Sequence, residues 1–181
     1  MKKLVLATMM CLASLATEAQ VLTSQTIDDI YEQLITDGEK GFAYNADRNA
    51  TDGRISALYV YRQTDDALTP LYQYRYDYDA CGCLLTRTTL SWRRGDWRPE
   101  GRLSYQLLAD SYSVEYSRWN RRHADFDQPV DKMTYMLHAG GQAGFVYSYH
   151  RRHAEAPYKL TMQVRVDDVP FGHDHLLTQH K

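Results

Sequence analysis

The sequence lacks a strong excess of charge of either sign. It carries 21 Lys and Arg against 23 Asp and Glu, which gives a formal net charge of −2. Nothing in this balance favours nucleic acid or an anionic membrane as a partner. No segment after the first 20 residues is apolar enough to cross a membrane as a helix. We therefore expect a mature chain that binds no nucleic acid and has no transmembrane segment.

Motifs of catalysis and of cofactor binding are also missing. The chain has no nucleophile elbow, no Gly-rich phosphate loop and no carboxylate pair at a defined spacing. Two histidine pairs, His150 with His153 and His173 with His175, could each supply two metal ligands, but spacing fixes no third ligand. The sequence therefore predicts a noncatalytic protein with no cofactor and no metal site. A periplasmic hydrolase is the weakest alternative.

The first 19 residues have the features of a signal peptide. Met1-Lys2-Lys3 supplies a positive start, and Leu4 to Ala16 form an apolar run that is too short to span a membrane. Thr17-Glu18-Ala19 is a small-x-small site that places cleavage before Gln20. We predict an exported protein, in the periplasm, on the cell surface or secreted, whose residues 20–181 form a single β-hairpin repeat domain.

Tyrosine is the aromatic residue that the sequence uses most, with 15 Tyr against 4 Phe and 3 Trp. From Tyr72 to Asp79, tyrosine alternates with polar residues without a slip. A period of two is that of a β-strand, so four tyrosine rings share one face. Asp79-Ala80-Cys81-Gly82 has the residues of a tight turn, and Leu84 to Trp92 alternate again. This stretch predicts a β-hairpin.

An amphipathic helix precedes the strands. Apolar residues from Ile27 to Ile35 follow helical spacing, with Thr26 as the expected N-cap and Gly38 as the expected stop. Alternating segments then continue to Val166. The predicted fold class is mainly β, an antiparallel meander of about eight strands, curled or barrel-like, with one N-terminal helix packed on its apolar face.

Double arginines recur near strand ends, as Arg93-Arg94, Arg121-Arg122 and Arg151-Arg152. Their spacings of 28 and 30 residues fit one hairpin with its link, and Tyr59-Val60-Tyr61-Arg62 is a looser earlier copy, so we predict a four-fold hairpin repeat. Arginines in such a row could hold a sulfated or uronic-acid polysaccharide. A carboxylate follows each pair within a few residues, however, so solvated and locally neutralised turns are the simpler interpretation.

Cys81 and Cys83 remain after the signal peptide is removed. Residues two apart in a strand lie near the upper distance limit for a disulfide, and so small a ring is strained. Turn thiols or an intermolecular link are the favoured interpretation, and an intramolecular disulfide is the alternative.

Two resemblances bear on the hairpin region. The segment Tyr78 to Leu84 resembles the YD repeat of bacterial surface and toxin-shell proteins, Tyr-Asp-x-x-Gly-x-Leu, with Cys83 where that repeat usually carries Arg. The leader, the early helix, the tyrosine hairpins and the strand-end tryptophan resemble small exported proteins of unknown function from gut Bacteroidales. Neither resemblance brings catalytic residues. Together they imply a secreted β-hairpin scaffold.

Rows of aromatic rings on a sheet can stack sugar rings, and a curled meander could also enclose an apolar ligand. The simpler interpretation is that most of the tyrosines form the core, because Leu, Ile, Val and Phe are too few to form one alone. We predict a binding or interaction module for a glycan or a cell-surface component. A structural protein that pairs through sheet edges is the alternative function. The candidate binding residues are Tyr72, Tyr74, Tyr76, Tyr78, Trp92, Trp119 and Tyr149.

Overall fold

The structure is a computed structural model that describes residues 21–137 and 143–165. The predicted signal peptide and the pair His173 and His175 lie outside the described residues. The described part contains one helix and ten strands. These are α1 (Ser24–Asp37), β1 (Phe42–Arg48), β2 (Ile55–Gln63), β3 (Leu68–Tyr78), β4 (Leu84–Arg93), β5 (Asp96–Leu107), β6 (Ser111–Asn120), β7 (Asp125–Phe126), β8 (Asp131–Leu137), β9 (Ala143–His150) and β10 (Lys159–Arg165).

The predicted mainly β, antiparallel meander with one N-terminal helix is confirmed. Strands follow one another in the order β1-β2-β3-β4-β5-β6-β8-β9-β10, and the two-residue β7 pairs with β6. Among the described residues, β1 pairs with β2 alone and β10 with β9 alone, so the sheet has two edges and does not close into a barrel.

The described chain falls into two compact units. The helix unit comprises Leu22–Tyr105 and Tyr116–Gln128. The C-terminal unit comprises Gln106–Glu115 and the described residues from Pro129 onward. The single domain over residues 20–181 stays a prediction.

Helix α1 begins after Thr23, so the prediction of Thr26 as its N-cap was wrong by one turn. The Thr23 hydroxyl accepts a hydrogen bond from the Thr26 amide, and the Thr26 hydroxyl accepts one from the Thr23 amide, each at 3.3 Å. This reciprocal capping box satisfies two amides that would otherwise lack partners, and it places Thr26 at the third helical position.

Gly38 ends α1 as predicted, although not because it takes a left-handed conformation, since its φ is −60°. A Cβ at this position would lie 2.1 Å from the Leu34 carbonyl oxygen and 2.7 Å from the Tyr44 ring. Glycine is therefore required for the close approach between the end of the helix and β1.

The core of the helix unit lies between α1 and one face of the sheet. The helix buries Ile27, Ile30 and Leu34 and packs against β1 and β2. Register places Tyr44 opposite Val60 and Val60 opposite Tyr72, so the tyrosine side of β3 belongs to the face that the helix covers. The tyrosine face is therefore largely core.

The predicted turn after β3 is present. The Gly82 amide donates to the Asp79 carbonyl oxygen at 3.1 Å, and the Cys83 amide donates to Asp79 Oδ1 at 2.8 Å. Gly82 has a φ of 87°, which lies in the left-handed region that residues other than glycine rarely adopt. Cys81 and Cys83 are not bonded to each other, and Cys81 is exposed.

Burial raises the pKa of Tyr74 to about 12. In the unfolded chain a tyrosine ionises near pH 10, so the stability that the neutral ring provides is complete below pH 10 and is lost as the pH rises through 12. Between pH 8 and pH 11 the free energy of unfolding should fall by about 1 kcal/mol more in the native protein than in Tyr74→Phe. Urea unfolding at both pH values measures this difference, and equal losses would contradict the burial of Tyr74.

Candidate functional site

Four aromatic rings form a continuous row on the face of the sheet opposite the core. The Tyr61 and Tyr59 ring centroids are 6.4 Å apart, those of Tyr59 and Trp97 are 5.9 Å apart, and those of Trp97 and Trp92 are 5.0 Å apart. All four side chains are half-buried, so part of each ring faces solvent. We call these four residues the aromatic row.

Register explains why the row lies on this face. Leu58 is fully buried opposite Tyr74, and side chains alternate along a strand, so Tyr59 points to the other side. Tyr59 lies opposite Gln73, and Gln73 lies opposite Leu90 on the same outer face. Each residue of the row therefore stands on a paired strand rather than on a loop, which holds its position.

A hydrogen bond fixes the middle of the row. The Tyr59 hydroxyl donates to Asp47 Oδ2 at 2.6 Å. This bond, and then burial of the ring, raises the pKa of Tyr59. Gln73, which is 4% exposed, lies opposite Tyr59 on β3 and acts to lower the pKa of Tyr59. The ring of Tyr59 is thus held by Asp47 from β1.

The two tryptophans come from one tight hairpin. Trp92 lies opposite Trp97, and Arg93 lies opposite Asp96 at the end of the ladder. The two turn residues, Arg94 and Gly95, have φ of 54° and 82°. Positive φ at both positions is the type I′ geometry that matches the twist of a hairpin, and it brings the two indoles edge to face.

The predicted binding residues separate into several environments, and the first is the core. Tyr74 and Tyr76 are 4% and 5% exposed, so their rings offer no surface to a ligand, and we assign them to the core. Tyr72 is half-buried and stacks on Tyr74 at 6.5 Å. Tyr78 is half-buried, stacks on Tyr76, and donates its hydroxyl to the Ile55 carbonyl oxygen at 3.0 Å.

The remaining predicted residues reach the surface. Trp92 is in the aromatic row, and Trp119 is half-buried with its ring edge to face on Phe126 at 4.9 Å. Tyr149 belongs to the C-terminal unit, where its ring centroid lies 6.4 Å from that of Tyr147 and the two rings are tilted by 30°. Binding by Trp92, Trp119 and Tyr149 stays a prediction, because packing alone does not test it.

Sequence reasoning missed Tyr59, Tyr61 and Trp97. The signal for Trp97 was present, since Trp92 and Trp97 stand at equal distances from the dipeptide Arg94-Gly95. A two-residue turn places residues at equal distances from it opposite each other. The side of the sheet on which Tyr59 and Tyr61 lie followed only from the register with β3.

Ligands for a metal ion do not converge in the part of the chain that the structure describes. No group of three His, Cys, Asp or Glu side chains is suitably placed within residues 21–137 and 143–165. His150 Nδ1 lies 2.8 Å from Asp131 Oδ1 in a two-residue contact. Within the same residues, no helix combines the length and the apolar character needed to cross a membrane.

Comparisons with known proteins identify a family. A family model described as a family of unknown function, DUF3836, matches residues 1–137. The chain belongs to the DUF3836 family. This agrees with the expected kinship to proteins of unknown function, whereas export and the YD repeat stay predictions. The comparison with curated proteins gives no match.

Solved structures show the same fold in another protein. A protein of unknown function from Bacteroides fragilis NCTC 9343 is 24% identical, with a TM-score of 0.59 over 72% of this chain and 96% of that one. A DUF3836 protein from Bacteroides vulgatus ATCC 8482 is 20% identical over 48% of this chain and 89% of that one, with a TM-score of 0.45. A third structure, of a DUF3836 protein from Parabacteroides distasonis ATCC 8503, is 20% identical over 47% of this chain and 80% of that one, with a TM-score of 0.42.

The hydrogen bond to Asp47 gives a test of how the row is held. Tyr59→Phe keeps the ring and removes the donor, so this DUF3836 protein should lose about 1 kcal/mol of unfolding free energy. Tyr61→Phe is the matched control, since no hydrogen bond to the Tyr61 hydroxyl is found among the described residues, and it should change stability little. Thermal unfolding followed by circular dichroism measures both. Equal losses of stability in Tyr59→Phe and Tyr61→Phe would contradict the role given to Asp47.

Proposed function

We propose that this DUF3836 protein is a noncatalytic binding module that holds a glycan against the aromatic row. The observation that carries the proposal is the row itself, four half-buried rings in unbroken contact on one outer face. The C–H faces of a pyranose pack well on aromatic rings, and the hydroxyl of tyrosine and the N–H of tryptophan can bond the sugar hydroxyls at the rim.

Preorganisation supports the proposal. The rings stand on paired strands, Trp92 and Trp97 support each other across the hairpin, and Asp47 holds Tyr59. Tyrosine and tryptophan lose little side-chain freedom when a ligand binds. A ligand that covers the row therefore meets a surface that needs little ordering, which favours binding by a shallow site.

A surface role fits the other expectations for the chain. The predicted leader would bring the protein to the periplasm, the cell surface or the medium, where polysaccharides are exposed. The sequence contains no motif for catalysis, which favours a binding role over a hydrolase. The family match is to proteins of unknown function and leaves the choice of ligand open.

Assembly through a sheet edge is a second candidate function. Strand β10 pairs with one neighbour among the described residues, and Leu160 and Val164 on it are 52% and 43% exposed. A strand with unpaired backbone groups and exposed apolar side chains can accept a strand from another chain. Oligomers that grow with protein concentration in the absence of glycan, seen by analytical ultracentrifugation, would favour this function.

Removal of Trp97 tests the proposed site. Trp97 contacts both Tyr59 and Trp92, so Trp97→Ala opens the row at its centre and should weaken binding of a neutral polysaccharide about tenfold or more. Dextran, xylan and mannan are the probes, measured by affinity electrophoresis and by quenching of tryptophan fluorescence.

Tyr31→Ala is the matched control, because it removes a half-buried aromatic side chain from α1 and leaves the row intact. Its affinity should equal that of the native protein. A native protein that binds none of the three polysaccharides, or a Trp97→Ala variant that binds as well as Tyr31→Ala, would refute stacking on the row.

A further inference from the structure

We infer that a second site on the same hairpin, an arginine groove, binds the sulfate or carboxylate groups of an acidic polysaccharide. The inference rests on the proposed function and specifies its ligand class. The groove is a cavity of about 620 Å³ in the helix unit. Its lining consists of four arginines with one indole and two small apolar residues, namely Arg93, Arg94, Arg98, Pro99, Trp119, Arg121 and Ala124.

The groove and the aromatic row share one hairpin. Arg93 and Arg94 follow Trp92 at the end of β4, and Arg98 and Pro99 follow Trp97 on β5. The turn between β6 and β7 supplies Arg121 and Ala124. Arg93 and Arg98 follow the two tryptophans by one residue, and Arg93 Nε donates to Ser91 Oγ at 2.9 Å, so these two arginines lie on the face of the hairpin opposite the aromatic row. The groove is therefore a separate site on the same hairpin.

The arginines of the groove are only partly neutralised. Arg93 pairs with Glu100, and Arg98 Nη2 lies 3.2 Å from Asp96 Oδ2 with both side chains about 60% exposed. No ion pair is found for Arg94 or Arg121 within residues 21–137 and 143–165. Exposed pairs such as Arg98 with Asp96 contribute little and exchange readily, so at least two cations are available to a ligand.

The carboxylates that follow the double arginines in sequence do not cancel them in the structure. Asp96 pairs with Arg98 rather than with Arg93 or Arg94. Asp125 accepts a hydrogen bond at Oδ1 from the Phe126 amide at 2.7 Å, which uses it in the local turn. Local neutralisation, the simpler interpretation from sequence, therefore applies to the groove only in part.

Backbone strain marks the same groove. Arg94 and Ala124 have φ of 54° and 51°, and they are the two non-glycine residues with positive φ in the part of the chain that the structure describes. Both line the groove. Asparagine or glycine fits the first position of a type I′ turn better than arginine does, and residues held in such strained conformations tend to cluster at functional sites.

The indole of Trp119 distinguishes a sugar from a simple anion. Trp119 rests edge to face on Phe126 at 4.9 Å, and the Arg102 guanidinium lies 4.0 Å from the Phe126 ring centroid. This stack holds a half-buried indole at the wall of the groove, next to the arginines. An acidic sugar can stack its ring on an indole while its acid group pairs with an arginine, and the groove offers both groups side by side. An inorganic anion would use only the arginines.

Dextran sulfate and unsubstituted dextran of equal length separate the groove from the row. The test variant is Arg94→Asn combined with Arg121→Gln, and the matched control is Arg62→Gln, an exposed arginine on β2 outside the groove. Isothermal titration calorimetry at several salt concentrations gives the affinity and its salt dependence. Polygalacturonate tests carboxylates in place of sulfates, and single-stranded poly(dT) tests nucleic acid.

The native protein should bind dextran sulfate more tightly than dextran. The double variant should bind dextran sulfate about tenfold or more weakly, with a smaller salt dependence, whereas Arg62→Gln should change the affinity less than about twofold. Because asparagine tolerates positive φ, the melting temperature of the double variant should stay equal or rise by about 2–4 °C. A stable variant with lost affinity excludes misfolding as the cause.

Three results would overturn the inference. The first is that the native protein does not bind dextran sulfate. The second is that the double variant and Arg62→Gln lose the same affinity for dextran sulfate. The third is that poly(dT) of equal charge binds as tightly as dextran sulfate. Failure of the proposed aromatic row would give a different pattern of results. If Trp97→Ala leaves dextran binding unchanged while the double variant loses dextran sulfate, the row is refuted and the groove stands.

Discussion

The pairing register of β2 with β3 is the constraint on which the helix unit depends. Leu58 lies opposite Tyr74 on the face that α1 covers, and Tyr59 lies opposite Gln73 on the other. Because side chains alternate along a strand, burying one set exposes the next. A shift by one residue would place Tyr59 in the core and Leu58 in solvent. The same pairing therefore sets both the core and the outer aromatic row.

The three double arginines show how one sequence feature takes different roles. Arg93 and Arg94 lie at the turn between β4 and β5, and Arg121 lines the same groove. In the C-terminal unit, Arg151 instead donates from Nε to the Pro129 carbonyl oxygen at 2.7 Å, and its guanidinium lies 4.6 Å from the Tyr158 ring centroid. That arginine ties a loop to its neighbours. Similar dipeptides thus lead to a cationic surface in one unit and to a structural contact in the other.

Much of the fold could be predicted from the sequence because its signals are local. Alternation from Tyr72 to Tyr78 predicted β3, and Asp79 and Gly82 predicted the turn that follows. The N-cap was misplaced because Thr23 and Thr26 form a reciprocal pair, and the helical pattern of apolar residues begins only at Ile27. A weak capping signal one turn earlier was outweighed by a strong periodic one.

The candidate site was harder to predict because it depends on contacts between distant residues. Alternation shows that four tyrosines share a face, but not that Tyr74 and Tyr76 are buried while Tyr72 and Tyr78 are half-buried. The groove brings Arg94 near Arg121, 27 positions later, and periodicity within a strand carries no information on that distance. Pairing of Asp96 with Arg98 was likewise decided by geometry rather than by order in the chain.

The most direct measurement is a titration of the 15N-labelled protein with sulfated dextran oligosaccharides, followed through the indole N–H signals of its 3 tryptophans. Trp92 and Trp97 report on the row, and Trp119 reports on the groove. If both sites bind this glycan, the signals of all three tryptophans shift on titration while the amides of β10 stay in place. Shifts confined to β10, or none at all, would contradict glycan binding by this hairpin.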